Sequence, residues 1–428
     1  MFTLRTKLSI LRALLTRRAP YYIQFYINGR CNLMCRQCNI VEANSGIGEL
    51  SLQQIEVVAD NIRKIHGGIV LLTGGEPFLR QDIDQIAKIF IERGLDVRLQ
   101  TAGIATREQL QKCYDAGCRD LNISLDSLNP AKGDYINAVP GSWKKTVEAI
   151  ERVSEIFRDE SAICSLGCVL SRFNYREIPA ILEFATRIGW YLSLVPVHIT
   201  QRDAYRGFRS YDDDFVFHPQ DYPDLHRVVD ELVAMQRQGA LLFDSAAFLK
   251  SAVGFIETGQ VSWRKNGVCD SPNLYFAVRP NGDFATCCDH FLDQPPSLTD
   301  PDFWKLYKSG AIARGEARAI VESCEGCHYG SYPEATLSVR DPAAFLSRTA
   351  LTFFRRRAII GHFEPGEMFD LIDEIRAKNP AAHSTAYLSD PVRERVEGWG
   401  DKASRRQMVQ LDLARRKEEG RVRRPQVQ

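Results

Sequence analysis

No stretch of this 428-residue chain is long and apolar enough to span a bilayer. An export signal is missing as well. The apolar patch from Leu8 to Leu15 is broken by Arg12, and Arg17, Arg18 and Pro20 follow where a small-residue cleavage site would stand. Charge of one sign is not in excess: the net charge of +1 leaves no global field aimed at nucleic acid or at an acidic partner. No repeat of fixed period runs through the sequence, which argues against a solenoid. Together these absences place the chain in the cytoplasm, where thiols stay reduced. Clustered cysteines there read as metal ligands or catalytic groups rather than disulfides.

Cysteine is what the chain has in quantity, twelve in all, on an otherwise ordinary background of 44% apolar and 25% charged residues. The length calls for two or three domains. Residues 1–20 form a basic amphipathic segment in which Phe2, Leu4, Leu8, Ile10, Leu11, Leu14 and Leu15 interleave with Arg5, Lys7, Arg12, Arg17 and Arg18. A helix packed on the domain and a helix resting on a membrane surface both fit this pattern. Residues 21–200 alternate strand and helix. β-rich runs at Tyr22–Ile27, Ile69–Thr73, Val97–Thr101, Leu121–Leu125, Ile163–Leu170 and Leu192–Val195 are separated by helical patterns, the first opened by Ser51 as an N-cap. Six such units predict a parallel α/β sheet curled into a partial (β/α)6 barrel, with its site at the C-terminal strand ends. A helical connector is expected over 201–262, with Asp212–Asp214 as a solvated acidic run, and a short turn-rich, cysteine-rich domain over 263–335. A helical extension is expected over 336–428, ending in a basic tail from about Lys402 that lacks the apolar content for a core.

The loop after the first strand reads Cys31-Asn32-Leu33-Met34-Cys35-Arg36-Gln37-Cys38. Three thiolates spaced CxxxCxxC can hold three irons of a cubane cluster and leave the fourth iron open to a ligand. A closed structural zinc site wants a fourth ligand nearby, and none is adjacent. The second strand ends in Thr73-Gly74-Gly75-Glu76-Pro77, where two glycines permit close backbone approach. The fourth ends in Ser124-Leu125-Asp126, polar at the strand end where a barrel places its site.

This constellation resembles the radical SAM superfamily. The resemblance implies that Cys31, Cys35 and Cys38 hold a [4Fe–4S] cluster whose open iron binds S-adenosylmethionine (SAM). It implies that Gly74, Gly75, Glu76 and Pro77 receive the methionine end, with Glu76 as the charged partner of its amino group, and that Ser124 and Asp126 lie near the ribose. Gln37 stands where many members have an aromatic residue.

Downstream, Cys269 precedes a strand pattern at Leu274–Val278, a turn at Pro280–Asp283 and a second short strand reaching Cys287 and Cys288. Cys324-Glu325-Gly326-Cys327 follows. This resembles the SPASM or twitch extension of the same superfamily and implies one auxiliary [4Fe–4S] cluster at Cys269, Cys287, Cys324 and Cys327. Cys288 is the alternative to Cys287, since neighbours on a strand face opposite ways, and structural zinc is the rival metal. Cys113, Cys118, Cys164 and Cys168 read as core residues, although one of the strand-five pair could donate hydrogen to a substrate radical.

The implied reaction is reductive cleavage of SAM and hydrogen abstraction from a small molecule, with flavodoxin or ferredoxin as electron donor. A hydrophobic substrate such as an isoprenoid lipid or a tetrapyrrole is the first expectation. The N-terminal segment and a second basic amphipathic stretch, Phe345–Ile360, suggest peripheral contact with a membrane. Peptide maturation is the second expectation, weakened because about twenty residues before the first strand leave little room for a leader-binding module. A non-catalytic iron–sulfur or zinc scaffold is the alternative of another class.

Overall fold

The computed structural model describes residues 3–44, 46–198, 213–261, 269–329, 331–349 and 360–385, with 388, 393, 394 and 396. Asp212, most of the Phe345–Ile360 stretch and the tail from Lys402 lie outside the described residues. Among the described residues eight strands form one sheet: β1 Tyr22–Asn28, β2 Ile69–Gly74, β3 Asp96–Thr101, β4 Asp120–Ser124, β5 Ile163–Leu170, β6 Tyr191–Pro196, β7 Tyr275–Val278 and β8 Phe284–Ala285. The spatial order is β6-β5-β4-β3-β2-β1-β7-β8. Strands β1 to β6 are parallel neighbours in sequence order, joined by helical crossovers, as the alternating pattern requires.

The hairpin β7–β8 departs from expectation. It does not sit apart with the cysteine-rich segment: β7 pairs parallel with β1, with Tyr22 opposite Tyr275 and Phe25 opposite Val278, and β8 returns antiparallel. Hydrogen bonding at the free edge of β1 explains this placement, because β1 is buried along its whole length and cannot be left unpaired. Asn61, on the helix Leu52–Lys64, ties the next segment down by donating to the carbonyls of Leu298 (2.9 Å) and Asp300 (2.7 Å).

The crossover helices begin where the sequence signals them. Ser51 and Gln54 close a reciprocal capping box, and Thr106 and Gln109 a second. Their apolar faces meet Leu99, Leu121, Ile123, Leu166, Leu192 and Leu194, which alternate along the strands with polar residues facing the barrel interior. The C-terminal helix Glu367–Lys378 docks on the crossover helices Ser142–Ile156 and Ile178–Arg187, and Pro380–His383 on the turn Tyr175–Glu177. Lys132 and Glu177, both without solvent exposure, form a 2.6 Å ion pair there, and Lys132 also donates to the Ala381 carbonyl at 2.8 Å. No helix among the described residues is long and apolar enough to cross a membrane.

Candidate active site

The strand-end motifs meet at the C-terminal edge of the barrel. The cysteine loop is pinned from below: the Met34 and Arg36 amides donate to the carbonyls of Asn137 (3.2 Å) and Ile136 (2.8 Å), and the Arg36 guanidinium lies 4.0 Å over the Tyr135 ring. From the other side it rests directly on Gly74 and Gly75. A Cβ at Gly75 would stand 2.0 Å from the Arg30 carbonyl oxygen, and one at Gly74, whose φ is +151°, 2.5 Å from that of Asn28. The two glycines are therefore required by the chain's own backbone, and they lock the cysteine loop to the end of β2. Asn28 completes the lock, with its amide donating to the Glu76 carbonyl and its side-chain oxygen accepting from the Gly75 amide.

A cavity of about 390 Å³ opens on this junction. Cys31, Cys35 and Cys38 line it, as do Gly74, Gly75, Pro77, Ser124 and Asp126. Glu76 is not part of its wall. The carboxylate is fully buried and accepts from the Phe78 amide (3.0 Å), the Thr101 hydroxyl (3.0 Å) and the Ala102 amide (2.7 Å), so it braces β2 against the turn after β3. Burial nevertheless pushes its pKa up to about 7.

Asp126 does face the cavity. It accepts from the Gln37 amide at 2.6 Å and from the Val169 amide at 2.7 Å, and burial raises it to about 6. Gln37 thus has a partner that sequence reading missed, 89 residues away. Its own side-chain oxygen is buried on the cavity wall with no partner among the described residues. Asn174, after β5, holds the same loop by donating to the carbonyls of Asp126 and Val169, both at 2.9 Å.

Deeper in the barrel the wall is polar: Gln24 of β1, Arg98 and Gln100 of β3, Asn122 of β4 and Ser193 of β6. Arg98 is held by Ser165 (2.7 Å) and by Asp120 (3.4 Å). The signal for these residues was present as polar side chains at every second position of otherwise apolar strands. On the β1 edge the cavity reaches Tyr329 and Tyr332 of the cysteine-rich region. The Tyr332 hydroxyl donates to Gln24 at 2.7 Å, and its ring stacks on Tyr275 with centroids 4.5 Å apart. All four cysteines read as core are buried in the main apolar cluster, and Cys168 also lines the cavity, close to Asp126.

The chemistry of the donors fits a cationic cluster at Cys31, Cys35 and Cys38. Burial pushes the Cys31 thiol up to about 11 and Cys38 to about 12. Cys35 stands well above the usual thiol range through burial and then through repulsion from Cys38 and Cys31. Without iron these groups hold their protons; iron would displace them. The second group fits as well. Cys269, Cys287 and Cys324 each accept a hydrogen bond from the backbone amide two residues on, at 3.4, 3.4 and 3.3 Å, the same turn that Cys31 makes with Leu33. Such amides stabilise a thiolate. Burial raises Cys269 to about 12 and holds Cys327 well above the usual thiol range, and each is raised further by Cys287. Cys288 is buried beside Tyr26 and Tyr332. Gly326, at φ +96°, turns the chain between Cys324 and Cys327, where a Cβ would strike Val261 at 2.4 Å. Among the described residues, no three His, Cys, Asp or Glu side chains are arranged to hold a single metal ion.

The sequence profile described as the radical SAM superfamily matches residues 25–185. The chain is 31% identical over 173 residues to the AdoMet-dependent heme synthase of Methanosarcina barkeri, covering 40% of this chain and 48% of that protein. It is 28% identical over 216 residues to the GTP 3′,8-cyclase of Aliarcobacter butzleri, covering 49% and 65%. The matches thus span about half to two-thirds of these relatives. In fold, the chain resembles the crystal structure of Streptococcus suis SuiB, with a TM-score of 0.53 and 15% identity over 76% of this chain and 75% of that one. The cofactors of the matched domain are a [4Fe–4S] cluster and SAM. Residues 25–185 thus match a radical SAM domain.

Proposed function

We propose that this chain is a cytoplasmic radical SAM enzyme that cleaves SAM reductively and abstracts hydrogen from a C–H bond of a small molecule. The observation that carries the proposal is that Cys31, Cys35, Cys38, Gly74, Gly75, Ser124 and Asp126 line one cavity, which continues into a polar barrel interior. A [4Fe–4S] cluster held by the three thiolates would supply the electron that breaks the sulfonium C–S bond, giving methionine and a 5′-deoxyadenosyl radical that takes a hydrogen atom from substrate. The protein's own residues bind and orient. The strand-end backbone at Gly74–Pro77 receives the methionine end. Asp126, oriented by Gln37 and Val169, accepts from the ribose hydroxyls, and the open side-chain oxygen of Gln37 is placed to accept from a ligand N–H. Glu76 and Asn28 keep the cysteine loop and the β3 turn in register.

The deeper lining favours a substrate with polar groups for Arg98, Gln100, Asn122 and Ser193 over a wholly apolar lipid. A tetrapyrrole, which carries carboxylates on an apolar ring, meets both halves of this wall. The heme synthase among the relatives supports that class, although its similarity spans only 40% of this chain. Cys269, Cys287, Cys324 and Cys327 are proposed to hold an auxiliary [4Fe–4S] cluster, and a flavodoxin or ferredoxin is the proposed electron donor.

The test is anaerobic reconstitution with iron and sulfide, then addition of dithionite and SAM. Wild type should form 5′-deoxyadenosine; the Cys31→Ala/Cys35→Ala/Cys38→Ala variant should form none while keeping roughly four irons per chain. Fully loaded wild type that cleaves no SAM under several reductants would favour the scaffold reading.

A further inference from the structure

The N-terminal helix α1, Leu4–Thr16, is mounted the wrong way round for a helix that simply completes a core. Its buried residues are small or polar: Thr6, Ser9 and Ala13. Thr6 donates its hydroxyl to the Gly68 carbonyl at 3.0 Å and Ser9 to that of His66 at 2.6 Å. The Thr3 amide donates to Asp96 at 3.0 Å and Arg5 to the Arg63 carbonyl at 2.6 Å. Gly68 admits this close approach, since a Cβ there would meet Ser9 at 3.3 Å. The leucines point outward, with Leu4 73%, Leu8 56%, Leu11 51% and Leu15 76% exposed. At about 100° per residue they form one stripe centred roughly opposite Ala13.

Four leucines in one solvent-facing line are a cost that an isolated soluble surface does not retain without a partner. The flanks say which partner. Residues 3–18 contain Arg5, Lys7, Arg12, Arg17 and Arg18 and no acidic residue, in a chain whose net charge is only +1. Arg12 and Lys7 border the stripe on either side, and Arg17 and Arg18 are exposed just past its C-terminal end. An apolar line bordered by cations matches a bilayer surface, with acyl chains under the leucines and anionic headgroups beside the guanidinium and ammonium groups.

We propose that α1 is a membrane-surface helix that docks the protein on anionic lipid through Leu4, Leu8, Leu11 and Leu15. The helix crosses the barrel at Gly68 and Asp96, where β2 and β3 begin, so it lies at the end opposite the cysteine loop. Docking there leaves the cavity mouth facing the aqueous phase.

The test is co-sedimentation of the full-length protein with vesicles of phosphatidylcholine alone and with 30% phosphatidylglycerol, at low and high salt. Wild type should bind the anionic vesicles at low salt. Each basic side chain engaged adds about fivefold to partitioning, so Arg12→Glu/Arg17→Glu/Arg18→Glu should reduce binding more than a hundredfold. Leu4→Gln/Leu8→Gln/Leu11→Gln/Leu15→Gln should bind at least tenfold more weakly with unchanged circular dichroism. Leu8→Glu alone, at an exposed position, is the second variant should the fourfold change disturb the helix. Absence of binding to anionic vesicles, or equal binding by the leucine variants, overturns the proposal. So does a dimer that the leucine variants dissolve in the absence of lipid binding, which would assign the stripe to a second copy of the chain. None of these readouts depends on SAM cleavage.

Discussion

Replacing Gly75 by alanine adds one methyl group and should cost the protein its cluster site. The new Cβ would stand 2.0 Å from the Arg30 carbonyl oxygen, 2.4 Å from its carbon and 3.0 Å from the Cys31 amide nitrogen. These are backbone atoms, so no side-chain rotation relieves the clash. Bringing the closest contact to 3.0 Å requires the cysteine loop or the end of β2 to move by about 1 Å. That movement also strains the Glu76 amide's 2.7 Å bond to the Arg30 carbonyl. Overpacking of this kind costs roughly 3 kcal/mol, at the upper end of the usual range, which lowers Tm by about 6–12 °C for a domain of this size. Because Cys31 moves with Arg30, iron bound at the first site should fall as well. Differential scanning fluorimetry and iron analysis of anaerobically reconstituted protein read both effects. Gly48→Ala is the control, since nothing lies within 4 Å of a Cβ there. A Gly75→Ala protein with wild-type Tm and wild-type iron would refute the claim that these glycines seat the cysteine loop.

Three further outcomes follow from buried groups. Glu76 has a folded pKa of about 7, raised by burial above the ordinary carboxyl value of 4.5, so its contribution to stability is greatest at acid pH and declines as pH rises toward 7. The Tm of Glu76→Gln apoprotein relative to wild type should therefore rise between pH 5 and pH 8, and a pH-independent difference would contradict this. Lys132→Met strands the Glu177 carboxylate in a site without solvent and should destabilise by about 3–5 kcal/mol in urea melts. Adding Glu177→Gln should restore part of the loss, and a single-variant cost below about 1 kcal/mol would show that the pair does not hold the C-terminal helices. At the second cysteine group, Cys287→Ala should lose the auxiliary iron and Cys288→Ala should keep it, because the amide-to-sulfur turn belongs to Cys287. Iron counts in the reverse order would exchange their roles.

The parts of this fold that were legible in the sequence are those fixed by local pattern. The six strands appeared as short β-rich runs, the first helix start as an N-cap at Ser51, and the hairpin as Pro280-Asn281-Gly282-Asp283. The motif residues could be named because a thiolate loop and a glycine pair are contiguous in sequence. What stayed hidden depends on pairing over long separations. Gln37 looked like a departure from pattern, and only the fold brings its amide to Asp126. Glu76 looked like a ligand-facing charge, yet three donors from two segments turn it inward. Arg98, Gln100, Asn122 and Ser193 become a wall only once it is known which face of each strand looks into the barrel. The leucines of α1 gave the right amphipathic pattern but not its orientation. Periodicity fixes that a stripe exists, and the polar contacts of Thr6 and Ser9 decide which face turns outward.

The parallel pairing of β7 with β1 bears on how separable the parts of this protein are. A reader of boundaries would cut near residue 262 and expect a free-standing catalytic half. Such a fragment would expose the ladder of β1 from Tyr22 to Phe25, an apolar strand edge with no bulge or charge to guard it. The cysteine-rich segment is thus a seal on the barrel as much as an appendage to it. Insertion, truncation or transplantation of that segment acts on the solubility of the whole before it acts on any metal it holds.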